Sequence, residues 1–318
     1  MKKYLSIALF VMLISNVTMA QSTVYVTRDI SPEGLLRIYK ALGRKAEGRV
    51  AVKISTGESE ATGYLRPDFI KLLVDEVNGT IVECNTAYPG KRNTTKKHWK
   101  TIQEHGFTKI APVDIMDAEG DMKIPVSDST HIQYDLVGNH LANYDFMINL
   151  AHFKGHQMGG LGGVLKNASI GVASSHGKAY IHSAGKTKSR LLWWAYAKNQ
   201  DQFIESMAAA AQAVHNYFGG DRILYISVMY RMSVDCDCNA HPKEPLIADY
   251  GIIAGFDPVA VDQAAYDIVS QIHNDEHNNN VPLLERIERK HGTHIMEYGE
   301  KIGLGSRNYK LVFIDEQE

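Results

Sequence analysis

The sequence predicts an α/β protein whose mostly parallel sheet is flanked by helices. Two observations lead there. From Val50 onward, short apolar runs of strand length alternate with longer segments whose apolar residues recur at helical spacing. The composition is that of an ordinary globular chain, 44% hydrophobic and 22% charged over 318 residues, which excludes disorder, collagen and coiled coil as the main state. A third observation bears on function: the segments richest in chemistry follow directly on expected strands, where ligands of parallel sheets bind.

The elements follow in order. Val50–Ile54 reads as a strand. Pro67–Val77 reads as a helix, with proline in its first turn, Phe69, Leu72, Leu73 and Val77 on one face, and Asn78-Gly79 as the stop. Thr80–Cys84 is the next strand, and Thr94–Glu104 a helix ended by Gly106. Lys109–Ile115 and Met122–Val126 read as strands around a turn at residues 118–121, and Phe146–Leu150 as a buried strand. Phe203, Ile204, Met207, Ala211, Val214 and Phe218 mark one helix face, closed by Gly219-Gly220. Ile223–Val228 and Gly251–Phe256 are strands. Asp257-Pro258 starts a helix running to Val269. Helices near residues 283–290 and 294–302, then a strand at Tyr309–Ile314, complete the chain, with Asn274–Asn280 as a polar surface loop. No repeat of fixed period and no strong linker is visible, so a single α/β unit with lobes is expected.

Residues 1–20 read as a secretory signal peptide: Lys2 and Lys3, an apolar stretch from Leu5 to Ile14, and the small-x-small end Thr18-Met19-Ala20. The apolar stretch is about half the ~20 residues a membrane span needs, so stable membrane insertion is not expected. An exported protein, periplasmic or extracellular, is. A net charge of −2 gives no footprint for nucleic acid or anionic lipid. Cys84, Cys236 and Cys238 are the only cysteines, which excludes a disulfide scaffold and an all-cysteine iron–sulfur cluster, since the latter takes four thiolates.

Three segments concentrate the chemistry. The first runs from His152 to Asn167 and holds His152, Lys154, His156, Lys166 and five glycines within nine residues. Such a loop lets backbone N–H groups, at Gly159 and Gly160 for example, approach a ligand, while Lys166 neutralises an anion. It is neither a Walker loop nor a dinucleotide fingerprint. The second is Asp235-Cys236-Asp237-Cys238. Two thiolates two residues apart suit one soft metal ion, with His156 as the preferred third ligand and His152 as a further one. The flanking carboxylates should raise the thiol pKa values, a penalty that a cation would remove. The other expectations are a buried structural pair, or a disulfide in a small ring that is easily reduced. The third is residues 83–92, where Asn85 and Arg92 are expected at the same sheet edge and Cys84 is either a further ligand or simply buried. Asp257 and Asp262 are read as a helix cap and a packed helix residue.

Together these segments resemble the domain-of-unknown-function family 362, a group known beside ferredoxin modules. The resemblance runs from about Val50 to Leu311. It rests on Val50–Glu58 with Tyr64-Leu65-Arg66-Pro67, Asn85-Thr86-x-Tyr88-x-Gly90-x-Arg92, His105-Gly106-Phe107, Phe153-Lys154-Gly155-His156 through Lys166-Asn167, Cys236-Asp237-Cys238, and Asp257–Asp262. Relatives often carry paired ferredoxin motifs after the segment matching His182-Ser183-Ala184-Gly185; that insert is missing here. The resemblance implies a fold and a shared site, not a reaction. Because a chain threaded unfolded across a membrane carries no preassembled cluster, zinc acquired after export is expected rather than iron–sulfur. The leading expectation is a metal-dependent protein, with an enzyme acting on a small anionic substrate as its sharper form: Cys236, Cys238 and His156 hold the metal, Lys154 and Lys166 are the catalytic candidates, and with Asn167 they orient the substrate or stabilise developing negative charge. The alternatives are a metal-free anion-binding module and a dithiol redox protein.

Overall fold

The computed structural model describes residues 21–315; the expected signal peptide lies outside them. The chain runs β1 (Ser22–Thr27), α1 (Pro32–Ala41), β2 (Val50–Lys53), α2 (Pro67–Glu76), β3 (Thr80–Glu83), α3 (Thr95–Glu104), β4 (Val113–Ile115), β5 (Asp121–Ile124) and β6 (Asp135–Gly138). It continues through β7 (Phe146–His152), β8 (Lys154–His156), β9 (Gly160–Gly162), α4 (Val164–Ala168), α5 (Ser175–His182), α6 (Trp193–Tyr196), α7 (Gln200–Tyr217) and β10 (Ile223–Met229). Last come β11 (Gly251–Gly255), α8 (Pro258–Ser270), α9 (Val281–Arg289), α10 (His294–Lys301) and β12 (Tyr309–Phe313).

Eight strands form one sheet in the order β12-β1-β11-β10-β7-β2-β3-β4. Every pairing from β10 through β4 is parallel, and only β11 runs against its neighbours. This is the α/β architecture that the alternation predicted. Strand side chains alternate between the two faces. In β10, Ile223, Tyr225 and Met229 enter the core shared with α7 and α8, while Leu224, Ile226 and Val228 enter the one shared with α1 and α2. The Asp257 cap is as expected: its Oδ1 accepts from the N–H groups of Val259 and Ala260 at 2.9 and 3.0 Å.

β1, α1, α5 and α6 have no counterpart in the sequence reading, which differs in three further places. Phe107–Lys109 is a 3₁₀ turn, so the strand expected from Lys109 begins at Val113. The next strand stops at Ile124 and pairs with β6, which was not expected. The glycine-rich segment is a short hairpin, β8 against β9, leading into α4.

The topology sets the place of a crevice. β2 leads outward to β3 on one side, whereas β7, its neighbour on the other side, is followed by β10. Connections diverge there, leaving a crevice at the carboxyl ends of the strands.

Candidate metal centre and anion cavity

That crevice is a cavity of about 590 Å³. Lys53 ends β2, Glu83 ends β3, His152 ends β7, and the segment after β10 brings Cys236, Asp237 and Cys238; all of them line it. Five cations, Lys53, Arg92, Lys154, Lys166 and Lys178, face two anions, Glu83 and Asp237.

The anions are already committed. Glu83 accepts from Arg92 Nη1 at 3.2 Å and from Thr56, and lies 2.8 Å from His98 Nε2. Burial alone would raise its pKa, but Arg92 and His98 outweigh burial and hold it well below the usual carboxylate range. Asp237 accepts from Lys154 Nζ at 2.6 Å and lies 3.3 Å from His152 Nδ1. Here too Lys154 and His152 overcome burial, and the carboxyl is pushed down to about 2. Lys154 also donates to the Gly63 carbonyl at 2.8 Å. It therefore ties the Cys-x-Cys segment to the end of β7, with two of its three N–H donors used within the chain.

Lys166 is the contrast. Half-buried, its ammonium has no hydrogen-bond partner among the described residues, and burial with neighbouring Lys53, Lys178 and Arg92 pushes its pKa down to about 8. Lys53, fully buried, is likewise pushed down to about 8, by burial against the opposing pull of Glu83. It donates to the Ile54 carbonyl at 2.6 Å and to Asn167 Oδ1 at 3.1 Å. Asn167 in turn donates to Asn149 Oδ1 at 2.7 Å and to the Lys53 carbonyl at 3.0 Å, so its amide orients Lys53. The buried Trp193, on the cavity wall, has an indole N–H without a partner among the described residues.

Donor atoms of His156, Cys236 and Cys238 lie within 4.8 Å of one another, a group that could hold a metal ion. In this structure the two sulfurs are joined as a disulfide. His156 Nδ1 accepts the backbone N–H groups of Gly159 (2.8 Å) and Met158 (3.2 Å), which places the proton of the neutral ring on Nε2. Burial, then Lys166 and His182, lower its pKa well below the usual value, so the ring is neutral, as metal ligation needs. The donor set, two sulfurs and one imidazole with a fourth position open, fits a thiophilic ion once the disulfide is reduced and the imidazole releases its amide partners.

The remaining sequence expectations place as follows. His152 stands outside the metal group, because its Nε2 is 2.5 Å from the Tyr230 carbonyl and its Nδ1 faces Asp237. Gly159 and Gly160 do not line the cavity. Their segment is tight for packing reasons: Gly160 adopts φ +71°, and a Cβ there would sit 2.9 Å from Gly292. Asn85 also lies off the cavity, bonded to Asp117 and Thr95, whereas Arg92 lines it. Cys84 lines it too but donates to the Val172 carbonyl at 3.2 Å; burial pushes its thiol up, and it lies outside the group of donor atoms that could hold an ion. Both flanking carboxylates are paired, Asp235 with Arg286 at 2.7 Å and Asp237 with Lys154 at 2.6 Å. Asp262 accepts from the N–H groups of Val164 and Leu165 at the start of α4.

Lys53, Lys178 and Trp193 are site residues that sequence reasoning missed. A signal existed for the first: Lys53 is the one charge in the apolar run Val50–Ile54.

The profile of the domain-of-unknown-function family DUF362 matches residues 50–267, about two thirds of the sequence. The chain belongs to the DUF362 family. No curated protein matches it. The similar solved structures include two. One is a Thermotoga maritima protein, at 12% identity and a TM-score of 0.46 over 76% of this chain. The other is the lactate racemase apoprotein of Thermoanaerobacterium thermosaccharolyticum, at 15% identity and a TM-score of 0.47 over 79%. The alignment covers 58% of the length of each. Among the described residues no helix is long and apolar enough to cross a membrane.

Proposed function

We propose that this chain is an exported metal-binding protein whose cavity takes a small organic anion, and that the ion, zinc, is held by His156, Cys236 and Cys238 in the reduced state. The observation that carries the anion reading is Lys166: a cation on the cavity wall with no hydrogen-bond partner among the described residues. Its ammonium is hydrogen-bonded to no group among the described residues and is crowded by Lys53, Lys178 and Arg92, a repulsion that a bound anion would offset. Lys53, oriented by Asn167, and Lys178 stand beside it. When bound, the ion would polarise an oxygen of the anion. Lys154 and Asp237 position the Cys-x-Cys segment rather than meet the ligand.

Elemental analysis of reduced, untagged protein tests the metal half. Stoichiometric zinc that is lost on Cys236→Ser supports it; no metal, or metal retained by that variant, rejects it. Thermal shift against inorganic phosphate and small carboxylates tests the anion half, with protection dependent on Lys166 as the expected result. The disulfide favours a second reading, a dithiol–disulfide couple at the same site. Thiol counts that move reversibly with a dithiol reductant, without metal uptake, would select it. Export is tested by amino-terminal sequencing of the secreted or periplasmic protein, expected to begin at Gln21.

A further inference from the structure

The segment between α5 and α7 lends Trp193 and Trp194 to the cavity wall, and the rest of it, outside the cavity, has a specific composition. Residues 186–199 contain Lys186, Lys188, Arg190 and Lys198 and no acidic residue. Within the same stretch Leu191 is 88% exposed, Leu192 56%, Trp194 53% and Tyr196 45%. One exposed apolar side chain needs no explanation, but four side by side mark an interaction surface. The strip is anchored from beneath. Trp193 is buried, stacked on Trp194 with ring centroids 3.6 Å apart and tilted over His182 at 4.7 Å. α6 is thus pinned by one tryptophan while its neighbours point to solvent.

The basic character continues next door. Arg190 Nη2 donates to the Asn93 carbonyl at 2.7 Å, and Lys97 Nζ lies 3.4 Å from Asn93 Oδ1. Asn93 precedes α3, whose exposed side includes Lys96, Lys97, Lys100 and Trp99, again with no acid between residues 91 and 100. The nearest acids along the chain are already engaged: Asp201 with His291 at 2.6 Å and Glu104 with Lys100 at 3.5 Å. The whole-chain charge of −2 conceals this local excess.

We propose that this face is a peripheral docking surface for an anionic lipid bilayer. Leu191, Leu192, Trp194 and Tyr196 enter the boundary between headgroups and acyl chains, and the lysines and Arg190 meet lipid phosphates. Two features favour lipid over other polyanions or a second copy. Nucleic acid would stack on Trp194 and Tyr196 but gives two projecting leucines no apolar surface. A symmetric dimer through this patch would set its cations against themselves. Trp194 also lines the cavity, so docking places the cavity mouth against the bilayer.

The test is co-sedimentation with vesicles of phosphatidylcholine alone and of equal parts phosphatidylcholine and phosphatidylglycerol. Binding is expected only to the mixed vesicles and weakens with added salt. Neutralising Lys186 and Lys188 to alanine lowers partitioning by about fivefold for each charge. Brominated lipid quenches tryptophan emission, and Trp194→Phe removes most of that quenching. The inference is overturned by no binding to the mixed vesicles, by equal binding to phosphatidylcholine, by tighter binding to a single-stranded oligonucleotide, or by a dimer that Leu191→Ser dissolves. Lys186 and Lys188 lie outside the cavity, so metal content and phosphate protection of the same variant report separately on that site.

Discussion

The two sides of the cavity handle charge in opposite ways. On the β3–α3 side the charges are matched: Glu83 holds Arg92 and faces His98, and Arg92 is further 3.5 Å from Glu58. On the β2–α4 side cations gather with no carboxylate bonded to them among the described residues. Lys166 has no hydrogen-bond partner among the described residues, and Lys178 donates only to the Ala173 carbonyl at 2.6 Å. Matched buried charges hold a shape, whereas unmatched ones hold a place for something the chain does not supply. If that contrast is right, substitutions on the two sides should separate stability from binding.

The largest effect is expected on the matched side. Glu83→Ala would strand Arg92 in the interior without its closest anion and should lower stability by about 3–5 kcal/mol. Urea unfolding measures it as a lower midpoint at unchanged slope. A loss below about 1 kcal/mol would mean that the network is not holding the wall.

Asp237→Asn comes next. It removes the anion that Lys154 was buried with, and a loss of about 2–3 kcal/mol is expected. The acid limb gives an independent reading. The Asp237 carboxyl is pushed down to about 2 from an ordinary value of 3.8, so its contribution is complete above 3.8 and is lost as pH falls from there towards 2. The variant should lack that share of the acid transition, and an identical acid limb in both proteins would contradict the pairing.

How much of this contrast was legible in the sequence depends on how local the cause is. The strand–helix alternation announced the sheet because each apolar run is buried by its own residues. Asp257 announced a cap because Pro258 follows it directly. α5 gave no periodic signal: within Ser175–His182 every residue but His176 is buried, so it has no polar face to alternate with the core. β6 is short and is recognised only through its pairing with β5. At the site, Cys236, Cys238 and His156 were legible as ligand types, but their convergence depends on how the segment after β10 folds over β7. Lys154 and Lys166 looked alike in sequence. Only Asp237, 83 residues from Lys154, decides that one is structural and the other free. The glycines misled for the same reason, since the backbone that Gly160 makes room for belongs to Gly292, far along the chain.

Lys166→Met is the smallest change in stability and the sharpest test of the contrast. No protein partner is lost, so stability should stay within about 0.5 kcal/mol of wild type or rise, while phosphate protection in a thermal melt should disappear. The pH dependence adds a sign that a structural lysine would not give. With its pKa at about 8 in the folded chain and 10.5 as the ordinary value, Lys166 is protonated in the unfolded state and neutral in the folded state between those limits. The unfolded chain therefore binds the extra proton, and stability rises with pH across that window. Anion affinity moves the other way, because the same deprotonation removes the attracting charge. Melts with and without phosphate at about pH 7 and about pH 9.5 should show higher stability but weaker protection at the higher pH. Lys166→Met removes its share of both trends and leaves the share of Lys53, which is pushed down to the same range. Protection that persists undiminished at the higher pH would place the anion away from these lysines and erase the distinction between the two sides.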